Sequence, residues 1–293
     1  MQHRRAFDLS WDVLAGRGVP VACAAITLML GMPFCHAEFS LWPHMGSLIL
    51  AGVVFLAVGA FSHAAAVTSR RDALLLLLLC CSISFLLEWI GTHGRFPFMG
   101  PYSYHPELGP MLGGRIPLFI PLAWFILATA PLVLLRSFPV RADKRLSIRR
   151  LCLKTAACAL CLTGFDLFLD PVCVEAGLWH WPEPGSYWGT PIANFFGWFL
   201  VGCLIYGPYF TLERHMPKPD RSADKTLAIV AASLVLFALT LTTHWLNSVG
   251  PALFAATVLA PFWLIWGSEP LRGLLARIGR VRTTVPSFRR DAS

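Results

Sequence analysis

The chain has 293 residues, of which 56% are hydrophobic and only 14% charged, with a mean hydropathy of +0.62. A soluble globular chain carries roughly a quarter charged residues, so this composition excludes a water-soluble fold and requires an integral membrane protein. The net charge of +8 does not point to nucleic acid either, because the bases fall in short clusters between long apolar runs, the pattern that reports topology.

A membrane-crossing helix needs about 20 mostly apolar residues. Eight segments meet that need: 18–36, 46–67, 72–92, 116–136, 151–170, 190–212, 226–246 and 250–267. The start, with Arg4-Arg5 ahead of an apolar stretch that ends at Cys35-His36-Ala37, mimics a twin-arginine signal. The chain beyond it is a run of further spans and no exported soluble domain, so the start reads as a first span with basic flanks. The last two spans share one uncharged stretch, 226–268, which Asn247-Ser248-Val249-Gly250-Pro251 breaks. The expected fold is therefore all-α, a polytopic membrane protein with about eight transmembrane helices. Residues 1–267 form a single transmembrane domain and 268–293 a basic cytoplasmic tail. In that tail Leu271, Leu274, Leu275, Ile278 and Val281 stand at helical spacing among arginines, as in a helix lying on the inner membrane surface.

Of the 24 Lys and Arg residues, 22 fall on alternate connections: three in the N-terminal arm, Arg70 and Arg71, seven over 136–154, four over 214–225 and six after Ser268. The opposite side holds Arg95 and Arg115 alone. The positive-inside rule then places the protein in the cytoplasmic (inner) membrane with both termini in the cytoplasm. The nine cysteines are odd in number and lie mostly inside apolar runs, so they read as small packing residues and not as a disulfide framework. Cys158 and Cys161 form a CxxC, but mid-helix and with no second pair, which does not make a metal or redox site.

Charges within spans are costly and therefore informative. Glu88 stands near the outer end of the third span, and Asp166 and Asp170 at the outer end of the fifth, where Pro171 is expected to end the helix. Both spans run outward, so the three carboxylates share one depth. Asp166 and Asp170 are four apart and share a helix face; two carboxylates so placed in a low-dielectric setting cannot both ionise cheaply, and one is expected to keep its proton at neutral pH. The bland alternative is that these acids cap loop amides or pair with Arg95 and Arg115. Asp166-Leu-Phe-Leu-Asp170 also has the DxxxD spacing of magnesium-diphosphate sites in membrane prenyltransferases, but the second acidic motif and the basic cluster that such sites need are missing.

Two outer loops, GTHGRFPFMGPYSYHPELGPMLGGRIP and PVCVEAGLWHWPEPGSYWGTP, are rich in Gly, Pro and aromatic residues, as suits a rigid lid over an apolar cavity. His93 and His180 occupy corresponding loops and are candidates for hydrogen bonding to substrate; a loop histidine is more often structural. His44, His63 and His244 are isolated and read as packing or polar bridging. The loops also echo each other. Pro117 is followed seven residues on by Trp124-Phe125, and Pro191 seven residues on by Trp198-Phe199. In each half an acid-ended outgoing helix, an aromatic loop and a returning helix recur, which suggests a parallel repeat relating the third and fourth spans to the fifth and sixth.

Glu88-Trp89-Ile90-Gly91-Thr92, Gly94-Arg95-Phe96-Pro97-Phe98, Gly100-Pro101-Tyr102-Ser103-Tyr104, Leu108-Gly109-Pro110 and Ile116-Pro117-Leu118 resemble a family of membrane carotenoid biosynthesis proteins. The resemblance continues through Phe165-Asp166-Leu167-Phe168-Leu169-Asp170-Pro171, Gly177-Leu178-Trp179, Trp181, Tyr187-Trp188-Gly189 and Asn194-Phe195-Phe196-Gly197-Trp198, and covers about residues 84–206. The family includes γ-carotene and bisanhydrobacterioruberin hydratases. It implies a hydro-lyase without a cofactor or metal, adding water across the terminal 1′,2′ double bond of an acyclic ψ-end carotenoid, with carotenoid, water and membrane lipid as its partners and other carotenoid-pathway enzymes as neighbours.

Hydration of such an alkene starts with proton delivery to the less substituted carbon and leaves a tertiary carbocation. Asp166, Asp170 and Glu88 are the candidates to donate that proton and to deprotonate the attacking water. Trp89, Tyr102, Tyr104, Trp179 and Trp198 are candidate aromatic faces for the cation, at about 2 kcal/mol or more each when desolvated; Asn194, with His93 and His180, completes the expected substrate contacts. The rival readings are an end-group cyclase, which captures a similar cation internally, a magnesium-dependent prenyltransferase, and a lipid or carotenoid transporter or scaffold.

Overall fold

The computed structural model describes residues 45–94, 101–136, 147–175 and 177–213. The expected spans 18–36, 226–246 and 250–267, the tail, Arg95, His44 and His244 lie outside the described residues. Among the described residues there are five helices: α1 (Met45–Val67), α2 (Arg70–Thr92), α3 (Ile120–Arg136), α4 (Ile148–Glu175) and α5 (Ile192–Leu212). Four of them, α1, α2, α4 and α5, are long and apolar enough to cross a membrane, and α3 is a shorter apolar helix.

Each helix follows from its local sequence. Ser69 caps α2, its hydroxyl accepting the Asp72 N–H at 3.1 Å, one turn in. On α2 the buried face runs Asp72, Leu76, Cys80, Ser84, Glu88, and on α4 it runs Cys158, Leu162, Asp166, Asp170. Both are every-fourth-residue stripes, and in both the acids simply continue the stripe toward one end. Helix α3 starts at Ile120, later than its apolar run suggests, because Ile116–Pro117 (β3) instead pairs antiparallel with Met111–Leu112 (β2).

Two short ribbons therefore qualify the all-α expectation: β2 with β3, and Ser103–Tyr104 (β1) with Trp179–His180 (β4). They arise where the two Gly-, Pro- and aromatic-rich loops must pair backbone groups over an apolar interior. The second ribbon joins the loop behind α2 to the loop behind α4.

Helix α4 does not stop at Pro171 as expected; it continues to Glu175 with the proline inside it. A helical proline cannot donate to the carbonyl four residues back, here that of Leu167. The Tyr187 hydroxyl supplies the missing donor, reaching Leu167 O at 2.8 Å. A tertiary contact thus repairs the defect that sequence rules treat as a helix end.

The pairs α2–α3, α3–α4, α4–α5 and α5–α2 pack side by side and close a four-helix ring, with α1 laid against α2 and α3. Small residues set the close approaches: a Cβ on Gly202 of α5 would stand 2.9 Å from Ala159 Cα and Cβ on α4. The buried cysteines pack as small apolar groups, Cys158 directing its thiol to Pro131 O at 3.6 Å. At the loop end, Gly46 opens α1 directly beneath the loop at Gly109, and a Cβ there would come within 2.1 Å of Gly109 N. Gly46→Ala is expected to lift that loop off α1 at a cost of about 1–3 kcal/mol, the range for overpacking; thermal unfolding in detergent would register the loss.

Candidate active site

On one diagonal of the ring, α2 faces α4, and this brings Glu88 to the same cavity as Asp170. On the other diagonal, α3 faces α5, and the indoles of Trp124 and Trp198 stack with ring centroids 4.0 Å apart. Acids therefore occupy one pair of opposite walls and aromatic faces the other. The cavity measures about 260 Å³, near the lower end of small-molecule sites. The loops close it with Tyr102, Tyr104, Trp179 and Trp181, and Ile49, Ile120, Leu127 and Leu169 complete an apolar lining.

Glu88 is buried and fully engaged. The Tyr102 and Tyr104 hydroxyls both donate to its Oε2, Tyr104 at 2.7 Å, and the Trp124 indole N–H donates to Oε1 at 2.9 Å. Burial pushes both tyrosine hydroxyls well above the ordinary phenol range, with the Glu88 carboxylate adding to the shift, so they remain donors at any physiological pH. The two tyrosines reach inward because β1 alternates: its pairing puts Tyr104 against Trp179 and Ser103 against His180. The rings follow the register, Tyr104–Trp179 and Tyr102–Trp181 each at 5.7 Å between centroids.

The opposite wall belongs to the aspartates. Asn194, in the first turn of α5, donates its side-chain N–H groups to Asp166 Oδ2 at 3.0 Å and to Asp170 Oδ2. A carboxamide carries two N–H hydrogens, so one residue bridges both acids. Trp179 donates to Asp170 Oδ1 at 3.1 Å. The two carboxyl groups thus lie one helical turn apart on α4, tied to a single amide. Asp170 lines the cavity, whereas Asp166 sits behind it, completely buried and outside the lining. Asp166 Oδ1 is buried without a hydrogen-bond partner.

Among the described residues, every donor to these three carboxyl groups is neutral. Arg115 does not pair with them; its Nη1 donates to the Thr92 carbonyl at 3.2 Å and closes the end of α2. Pairing with Arg115, or capping of loop amides, therefore does not describe the contacts among the described residues, and Arg95 lies outside them.

Of the expected site residues, the fold brings together Glu88, Asp170, Tyr102, Tyr104, Trp179, Asn194 and Trp198 on one cavity, with Asp166 immediately behind. It leaves Trp89, His93 and His180 outside the lining. Trp89 and His93 lie on the exterior, their rings 4.7 Å apart and His93 Nδ1 2.6 Å from the Trp89 carbonyl at the helix end. His180 is exposed because it occupies the outward position of β4. Trp124 and Trp181 are the contributors that residue-type reasoning passed over. Trp124 carried a signal, its place in the Pro-to-Trp echo, but its bond to Glu88 lies 36 residues away in sequence.

Bisanhydrobacterioruberin hydratase of Haloarcula japonica is 32% identical to this chain over 123 residues, 41% of this chain and 39% of that protein. The chain thus matches well under half the length of that curated relative. No solved structure matches the chain. The profile of the carotenoid biosynthesis proteins, in contrast, matches residues 45–261, which takes in the ring, the aromatic loops and every carboxyl group described above. The chain belongs to the carotenoid biosynthesis protein family.

Proposed function

We propose that the chain is a hydro-lyase that adds water across the terminal 1′,2′ double bond of an acyclic ψ-end carotenoid. The observation that carries this reading is an aromatic, apolar cavity whose acidic groups are held, among the described residues, by neutral donors alone. Such a site can present a carboxylic acid to a hydrocarbon without drawing the proton away to a neighbouring cation. Proton transfer to the less substituted alkene carbon leaves a tertiary carbocation, which the stacked Trp124–Trp198 pair and the loop aromatics lining the cavity are suited to stabilise by cation–π attraction. Water then adds through its oxygen and returns a proton to a carboxylate, so the acid is regenerated and no redox partner is needed.

The cavity volume fits one chain end, the rest of the polyene lying among helices and lipid. The 32% identity to a hydratase supports the same chemistry. In this reading the chain spans the cytoplasmic membrane eight times as one domain, residues 1–267. The basic connections and the tail, 268–293, lie on the cytoplasmic side with both termini.

A parallel repeat relating α2–α3 to α4–α5 accompanies this proposal. Two-fold related segments must exchange contacts reciprocally, and Tyr102-Ser103-Tyr104 meets Trp179-His180-Trp181 in that manner, centred on Ser103 and His180. The stacked Trp124 and Trp198 are the corresponding members of the Pro-to-Trp echo.

Purified protein in lipid vesicles, given an acyclic carotene in ¹⁸O-labelled water, should yield a product heavier by one labelled water. A product of unchanged mass would identify a cyclase, and an unaltered carotene would remove the enzymatic reading.

A further inference from the structure

The three carboxyl groups are not equivalent, and their contacts divide the work among them. Glu88 accepts three hydrogen bonds, from Tyr102, Tyr104 and Trp124, and among the described residues it is bonded to no group that could take a proton from it. Each of its partners is a donor, which is the environment of an ionised carboxylate. The aspartates differ. They stand one helical turn apart, both buried and both held by the same Asn194 amide; two bare carboxylates so placed would repel, and a proton on one of them removes that cost.

We propose that Asp166 and Asp170 share a single proton, that Asp170 is the catalytic acid facing the alkene, and that Asp166 is a positioning residue that stores the proton without touching substrate. The assignment rests on the hydration reading for its chemistry and on geometry for its division of roles. Asp170 lines the cavity and Asp166 does not. Both oxygens of Asp170 already accept N–H bonds, from Trp179 and Asn194, whereas Asp166 keeps one buried oxygen, Oδ1, with no partner. An ionised carboxylate with one oxygen left so would be costly, and a proton on Asp166 makes the group neutral.

In the cycle the shared proton moves onto Asp170 and then to the less substituted alkene carbon, the π pair forming the new C–H bond. The pair is now doubly ionised opposite a carbocation. Water adds its oxygen to the cation, and the resulting oxonium gives a proton back to Asp170, which again shares it with Asp166. One water is consumed, one C–H and one C–O bond form, and the pair ends as it began. Glu88 stays ionised on the opposite wall throughout.

Infrared spectra of the purified protein in H₂O and D₂O test the shared proton without any substrate. A protonated-carboxyl C=O band sensitive to D₂O is expected at neutral pH. It should vanish in Asp166→Asn and in Asp170→Asn and persist in Glu88→Gln. A band that survives both aspartate replacements, or that vanishes in Glu88→Gln alone, overturns the assignment, as does its absence from the unaltered protein, a result that requires no variant to fold.

Kinetics supply the second readout. Asp166→Asn should lower kcat by roughly 100-fold, within the range of general acid catalysis, with KM for carotene unchanged; a raised KM at unchanged kcat would make Asp166 a substrate contact. The expected infrared pattern in a protein that hydrates no carotene would sink the hydratase reading and leave the shared proton standing. Hydration without the band would do the reverse.

Discussion

Asp170→Asn is expected to stop water addition, lowering turnover by roughly 10²–10⁴-fold, the contribution of a positioned general acid. Asparagine preserves the shape of the side chain and keeps an oxygen for the Trp179 indole, but it carries no acidic proton. The protein should still insert in the membrane, and carotene should still bind, because the remaining lining is untouched. Quantifying hydroxylated product by mass in vesicles, at matched protein levels, measures the effect. Normal conversion by this variant would remove Asp170 from the reaction and, with it, the chemical reading of that wall.

Glu88→Gln should produce the second large effect, on both stability and rate. The carboxylate accepts from three donors drawn from the second aromatic ribbon and α3. Glutamine offers one acceptor oxygen in place of two and turns an N–H toward groups that are themselves donors. A buried donor left unsatisfied costs about 1–3 kcal/mol, so the loops that close the cavity should loosen by that order. Turnover should fall at least tenfold, since the charge facing the carbocation is gone. Adding Tyr104→Phe to Glu88→Gln removes one stranded hydroxyl and should restore part of the thermal stability but none of the rate. Wild-type stability and turnover in Glu88→Gln would show that this network neither holds the loops nor serves the chemistry.

Much of the site is legible in the residues alone. Glu88, Asp166 and Asp170 stand out because ionisable groups within apolar spans demand a reason, and their four-residue spacing to Ser84 and Leu162 puts them on the buried stripes of α2 and α4. Tyr102, Tyr104 and Trp179 are legible as aromatics in loops too rich in Gly and Pro to be ordinary connectors, and Trp198 as a member of the Pro-to-Trp echo. The histidines are not: His93 and His180 have side chains suited to catalysis, but strand alternation and a helix end turn them outward. Trp89 follows Glu88 immediately, and on a helix adjacent residues point about 100° apart, so one faces the cavity and the other the exterior.

Two features depend on contacts between distant segments. Proline rules end α4 at Pro171, but the helix passes through it, and the donor that Leu167 O lacks comes from Tyr187, 20 residues on. Asn194 bridges Asp166 and Asp170 from 28 and 24 residues away, and nothing in the spacing of those residues announces it.

The sequence by itself determined that this chain is a membrane protein, roughly where the apolar helices of the described residues run, and which few acids are buried among them, because hydropathy and helical periodicity are local properties summed along the chain. Only the tertiary structure decided which acid faces the cavity, which lies behind it and which donors hold each, because those choices belong to directional hydrogen bonds across the ring, between residues that no period of the sequence relates.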